Sequence, residues 1–307
     1  MLLVYTEYND EENNLRYIVN DDRTLSVIEP IDSELADWVC IIPEEYEGIK
    51  VTSIGKHAFL GCSKLASITI PGSVTSIGSY TFYDCYSLTS ITVSDNNKYY
   101  KSIDGVLFDK NVQKIIAYPC SKSSNYYTIP DSITSIGDGA FRDCYSLNSI
   151  TIPDSVTSIG DYAFYGCSGL TSIIIPNAVT SIGDYTFFYC YSLTSITVSD
   201  NNKYYKSIDG VLFDNNVQKI IAYPCSKSSN YYTIPDSVTS IGEYAFWYCY
   251  SLTSITIPKS VTSIGDGAFR ECSSLTEIHI NKPENSISGS PWRAPNGESI
   301  VKWQGQF

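Results

Sequence analysis

Ten cysteines, two histidines and three Asp/Asn-rich runs are the residues of this 307-residue chain best suited to chemistry. Seven cysteines share one column: Cys62, Cys85, Cys144, Cys167, Cys190, Cys249 and Cys272. Cys40, Cys120 and Cys225 stand outside it. Sulfur chemistry would call for a C-x-x-C pair, as in a zinc ribbon or a dithiol, or for a thiolate held beside a positive charge. No C-x-x-C occurs. A cysteine that returns at a fixed period marks a repeated packing position. The seven are therefore expected as free, buried, structural thiols. Stacked neighbours would point the same way, which suits a disulfide poorly.

His57 sits in "GKHAF" and His279 in "EIHI". Histidine catalysis needs a base or nucleophile within hydrogen-bond reach, and neither neighbourhood offers an obvious one. His57 is expected exposed and unpaired. The runs "SDNNK", at Ser94 and again at Ser199, and "NDEENN", at Asn9, carry oxygen ligands without the stride of a calcium loop. They read as turns and solvated faces. No phosphate loop, G-x-S-x-G or G-x-G-x-x-G is present. The expectation is a protein that is not an enzyme and uses no metal or cofactor.

The elements that carry these residues repeat. "TSIG" begins at Thr52, Thr75, Thr134, Thr157, Thr180, Thr239 and Thr262. Each is followed by an Ala/Thr-Phe pair and then the column cysteine. A strand-ending position recurs at Ile70, Val93, Ile129, Ile152, Ile175, Val198, Ile234, Ile257 and Ile280. The spacing is 23 residues, broken twice by 36. The two long units are near copies, since residues 85–137 and 190–242 differ only at Lys110/Asn215 and Ile133/Val238.

In "LTSITIP" the apolar residues alternate as a strand facing a core, and Pro ends it. "VTSIG" reads as a second short extended piece whose Gly suits a positive-φ turn. Units this small must stack to bury their apolar side. The fold expected is a β-rich solenoid of about nine rungs with a parallel ladder. Long units near 94–129 and 199–234 are expected to project β-hairpins, with "GVLFD" and "VQKIIAYP" as the arms. Capping hairpins are expected at both ends: "LRYIVNDDRTLSVIEP" in front, and behind it "NSISGSPWRAPNGESIVKW" with Trp292 and Trp303 over the last rung. The division is a front cap over 1–50, the solenoid over 51–280 and a closing cap over 281–307, in one continuous structural domain.

Net charge is −13, with thirteen acidic and three basic residues in the first fifty. The repeats are nearly neutral. With no basic stripe, nucleic acid and anionic membrane surfaces are poor partners. No apolar run is long enough for a membrane span. "MLLVYTEYND" has no basic leader region and is not expected to be a secretory signal.

"IPDSVTSIGDYAFYGCSGLTSI", Ile152 to Ile173, closely resembles the BspA-like, or Treponema-type, class of leucine-rich repeats. "YKSIDGVLFD" with "IIAYP" resembles the hairpin variant of such arrays, and "SISGSPW" their closing segment. The resemblance spans about residues 15–303 and implies a curved leucine-rich-repeat array. It also implies a surface or secreted setting, with adhesion or protein binding in place of catalysis. The unrecognised leader leaves a cytoplasmic location open.

The outward side of the ladder is the expected binding surface. One column holds Thr69, Thr92, Thr128, Thr151, Ile174, Thr197, Thr233, Thr256 and His279. A second column, two residues earlier, is serine except at Tyr126, Tyr231 and Glu277. Nine rungs span roughly 40 Å. The residues expected to meet a ligand are Thr92, Tyr126, Thr128, Thr151, Thr197, Tyr231, Thr233 and Thr256. Twenty-six tyrosines, many in the compact turns, add contact area at low entropic cost. The partner expected is a host-surface or matrix protein met by a monomer. A glycan ligand and a passive spacer are the alternatives.

Overall fold

The computed structural model describes residues 6–284, 286–289 and 292–306. Parts of both expected caps (residues 1–5, 285, 290, 291 and 307) lie outside the described residues. Each 23-residue unit makes two short strands and one compact turn, as in Ser172–Ile175, Ser181–Ile182 and the turn that follows. Ile173 and Ile175 point into the core while Ile174 points out. Units stack in parallel, with Ser135 opposite Ser158 and Ser158 opposite Ser181. The result is a curved β-solenoid.

Two devices fix the 23-residue register. Threonines flanking the strands donate their hydroxyls to the preceding rung: Thr194 Oγ1 to Thr171 O at 2.9 Å and Thr180 Oγ1 to Thr157 O at 3.2 Å. The glycine of "TSIG" is the second device, though for a reason other than the one expected. Gly183 has no positive φ. A Cβ built there would lie 2.4 Å from the backbone nitrogen of Asp161. Close approach of stacked backbones, rather than a left-handed turn, requires the glycine.

The phenylalanines of the compact turns form files through the core. One runs Trp38–Phe59–Phe82, with ring centroids 5.9 and 6.1 Å apart. The next runs Tyr118–Phe141–Phe164–Phe187 at 5.2, 5.3 and 6.2 Å. The third, Tyr223–Phe246–Phe269–Trp292, ends on the closing segment. Each fully buried Phe contributes roughly 2–3 kcal/mol of hydrophobic stabilisation. The files break after Phe82 and Phe187, where the long units enter.

The long units contain the expected hairpin, but it does not project. Tyr100–Ile103, Val106–Asp109 and Lys114–Ala117 form an antiparallel meander. Lys114–Ala117 then continues the parallel ladder against Ser135–Ile136. Val106, Leu107 and Phe108 are all fully buried. Leu107 packs into the core in front, and Val106 and Phe108 into the core behind. Leu212 is divided from Val211 and Phe213 in the same way. Three consecutive apolar residues leave no face for water, so the strand becomes an internal partition.

The front cap is the expected hairpin, Leu15–Val19 against Leu25–Pro30, with Glu7–Asp10 added outside. The closing segment corrects the expectation of a second hairpin. It is a 3₁₀ turn, Gly297–Ile300, then a single strand, Val301–Trp303, parallel to Glu277–Ile280. The strand continues the parallel register of the ladder and itself becomes the outer edge, and among the described residues no antiparallel arm joins it. Trp292 and Trp303 are buried there. Trp38–Ile41 and Val301–Trp303 add a rung at each end to the nine expected.

Candidate binding surface

Strand alternation places the outward columns on one side of the ladder. Thr92, Thr128, Thr151, Thr197 and Thr233 are exposed and Thr256 is half-buried. Tyr126 and Tyr231 are the most exposed of the exposed large hydrophobic side chains, at 68% and 67%. Ser124 and Ser229 hold their backbones, each hydroxyl donating to the tyrosine carbonyl two residues on, at 2.6 and 2.5 Å.

The ladder does not bring all eight residues into one row. Beside Ser90–Val93 lies the Asp104-Gly105 turn, whose Gly105 carbonyl accepts from Ile91 N at 2.8 Å. The equivalent Gly210 carbonyl accepts from Ile196 N at 2.9 Å. Each long unit therefore cuts the face. Thr69 and Thr92 form one facet. Tyr126 and Thr128 lead the second, opposite Ser149 and Thr151. Ile174 and Thr197 pair at that facet's far end. Tyr231 and Thr233 lead the third, opposite Ser254 and Thr256.

The hydroxyls of the face differ from those of its flanks. Among the described residues Thr92, Thr128, Thr151, Thr233 and Thr256 make no side-chain hydrogen bond; Thr197 meets Ser195 at 3.5 Å. The flanking threonines, by contrast, are committed to the preceding rung.

Several surface residues escaped the sequence. Val39 and Ile41 are exposed on the same face, opposite Ser67 and Thr69. The alternation of "WVCI" carried that signal, inside the segment assigned to the front cap. At the far end Lys302 lies opposite His279. His279 is not isolated, since its Nε2 lies 3.0 Å from Glu277 Oε2. His57 is exposed, its ring 5.3 Å from that of Tyr80.

The seven column cysteines and Cys40 are buried with free thiols, and Cys120 and Cys225 are half-buried. The sulfurs of Cys85, Cys120, Cys144, Cys167, Cys190, Cys225, Cys249 and Cys272 donate to carbonyls of neighbouring turns, as Cys167 does to Phe141 O at 3.0 Å. Burial pushes the Cys62 thiol up to about 12 and raises Cys85, Cys167 and Cys190 well above the ordinary range. Such thiols hold their protons and are poor nucleophiles.

The Asn-rich runs correct another expectation. They are turns, but not wholly solvated: Asn97, Asn202, Asp10 and Asn14 are buried. Asn97 Oδ1 accepts from Tyr99 N and Tyr100 N, both at 2.8 Å.

Among the described residues no helix is long and apolar enough to cross a membrane. The family model described as "BspA type Leucine rich repeat region" matches in six copies over residues 46–119, 113–224 and 204–294. A leucine rich cell surface protein from Faecalibacterium prausnitzii shares 32% identity over 92% of this chain and 80% of its own, with a TM-score of 0.58. A leucine-rich repeat protein from Eubacterium ventriosum superposes with a TM-score of 0.54 at 22% identity, covering 98% of this chain and 97% of its own. The pneumococcal vaccine antigen PcpA gives 0.52 at 22% identity, over 91% and 73%. The last two share the fold alone. No curated protein matches the chain.

Proposed function

The chain belongs to the BspA-type leucine-rich repeat family, and from that premise we propose that it is a non-catalytic, surface-displayed module that binds a host or matrix protein through its outward ladder. The observation that carries this is the division of labour among the hydroxyls. Flanking threonines spend theirs on the stack, while Thr92, Thr128, Thr151, Thr233 and Thr256 keep theirs facing outward. Tyr126 and Tyr231 add large, stiff contact area at the leading edge of two facets. Tyrosine beside small hydroxyls suits protein recognition, because it offers area at low entropic cost and adaptable hydrogen bonds. Surface display rests on the likeness to the Faecalibacterium cell surface protein.

The test is a pull-down from epithelial-surface extract, read by mass spectrometry and repeated with the purified partner. The chain is compared with Thr92→Lys/Thr151→Lys/Thr197→Lys. A partner kept by the first and lost by the second supports the face. A partner held equally by both, or by neither, removes it.

A further inference from the structure

The two long units open matching clefts, of 300 Å³ in the first copy and 460 Å³ in the second. Both have one cause. A long unit passes through Tyr118-Pro119-Cys120, or Tyr223-Pro224-Cys225, without building a compact turn, so the turns before and after it stand apart. The floors are equivalent: Phe82, Tyr100 and Tyr118 in one, Phe187, Tyr205 and Tyr223 in the other.

The walls differ as a set. In the first copy the guanidinium of Arg142 lies 4.6 Å from the Tyr83 ring centroid and 4.2 Å from that of Tyr165. It pairs with Asp143 at 3.1 Å and Asp84 at 3.7 Å. Arg142 and Tyr83 line that cleft. At the equivalent places the second copy has Phe188, Tyr189, Trp247 and Tyr248. The Trp247 ring lies 4.2 Å from Phe188 and 4.4 Å from Tyr189. A cation and two carboxylates have been exchanged together for rings, and the cleft is larger.

One further observation marks the second cleft. Trp247 Nε1, on its wall, is buried and finds no hydrogen-bond partner among the described residues; Tyr223 Oη on its floor is unpaired as well, as is the equivalent Tyr118 Oη of the first cleft. Tyr223 is only 6% exposed.

We propose that the second cleft binds a saccharide. One C–H face of a pyranose lies on the Trp247 and Tyr189 rings, and a small ring movement lets ligand hydroxyls reach Trp247 Nε1 and Tyr223 Oη. Exposed Asp184 and Glu243 at the rim accept the remaining hydroxyl protons. An apolar ligand leaves both buried groups unpaired. A cation offers no acceptor to an indole N–H, which only donates. A sugar hydroxyl both donates and accepts.

The experiment titrates methyl glycosides of glucose, galactose, mannose, N-acetylglucosamine and N-acetylgalactosamine into the full chain, following tryptophan fluorescence and binding heat. At least one is expected to bind saturably at one site, with the fluorescence change lost in Trp247→Phe. Phe188→Tyr/Tyr189→Asp/Trp247→Arg/Tyr248→Asp installs the first cleft's set in a frame already known to accept it, and should weaken binding at least about tenfold. Arg142→Trp/Asp84→Tyr/Asp143→Tyr should raise the stoichiometry from one site to two. No saturable binding by any glycoside, a fluorescence change that survives Trp247→Phe, or quenching by choline instead of sugars would overturn the proposal.

Discussion

Asn97 donates its side-chain amide to the carbonyl of Val74, 2.9 Å away in the preceding turn. The same amide reaches Pro71 O at 2.8 Å, and Asn202 repeats the pair with Val179 O and Pro176 O. Asn97 is fully buried. It thus stitches each long unit to the regular unit before it, where the valine column has no valine to offer. Asn97→Ala leaves two carbonyls and two N–H groups without partners and is expected to cost about 3 kcal/mol. Urea denaturation measures it. A loss under about 0.5 kcal/mol would show that solvent replaces these bonds.

Tyr126→Ala and Tyr231→Ala should leave stability almost unchanged, because both rings project into solvent. If the outward face holds the protein partner, each should weaken binding by about 1–2 kcal/mol, and the pair by more. Surface plasmon resonance against the purified partner reads the loss. Unchanged affinity in the double variant would move recognition off the tyrosine-led facets.

Asp143 lies buried, accepting from Arg142 Nε at 3.1 Å. Burial pushes its carboxyl up to about 6, the Asp84 carboxyl adds to the rise, and Arg142 opposes it. A raised folded-state value means the folded chain binds this proton more tightly than the unfolded chain does. The contribution is complete below the ordinary carboxylate value near 4 and is lost as pH rises through about 6. It amounts to about 3 kcal/mol. Asp143→Asn should therefore flatten the fall in stability between about pH 4 and 6.5. Parallel stability–pH curves for the two proteins would contradict this.

The thiols give a fourth expectation. Burial raises the thiols of Cys62, Cys85, Cys144, Cys167, Cys190 and Cys249, and pushes Cys120 up to about 12 and Cys225 to about 11. Near pH 8 the folded chain should react slowly with iodoacetamide, Cys120 and Cys225 leading, and all ten should react in urea. Rapid alkylation of Cys167 in the folded chain would mean that the turns open readily.

Periodic residues were legible because stacking makes every copy answer to the same neighbours. The alternation in "LTSITIP" placed Ile173 and Ile175 inside and Thr197 outside, as the structure has them. Trp292 and Trp303 could be placed at the closing end because an open stack must be covered. What the residue types hid was non-periodic. Asn97 looks like a solvated turn residue, and only its depth beneath the Pro71 and Val74 carbonyls makes it an anchor. "GVLFD" reads as a hairpin arm, yet whether it stands clear or enters the stack depends on space between cores that no local pattern records.

The sequence by itself determined the period, the parallel solenoid and which side chains line its core, since those follow from repetition and alternation. Tertiary structure decided how the surface is divided. It set the Asp104-Gly105 and Asp209-Gly210 turns across the ladder, cutting the face into facets. It also placed the turns around Phe188 and Trp247, some sixty residues apart along the chain, against one cleft. Such contacts depend on how far neighbouring turns are spread by a buried strand, which is a property of three-dimensional packing and not of residue order.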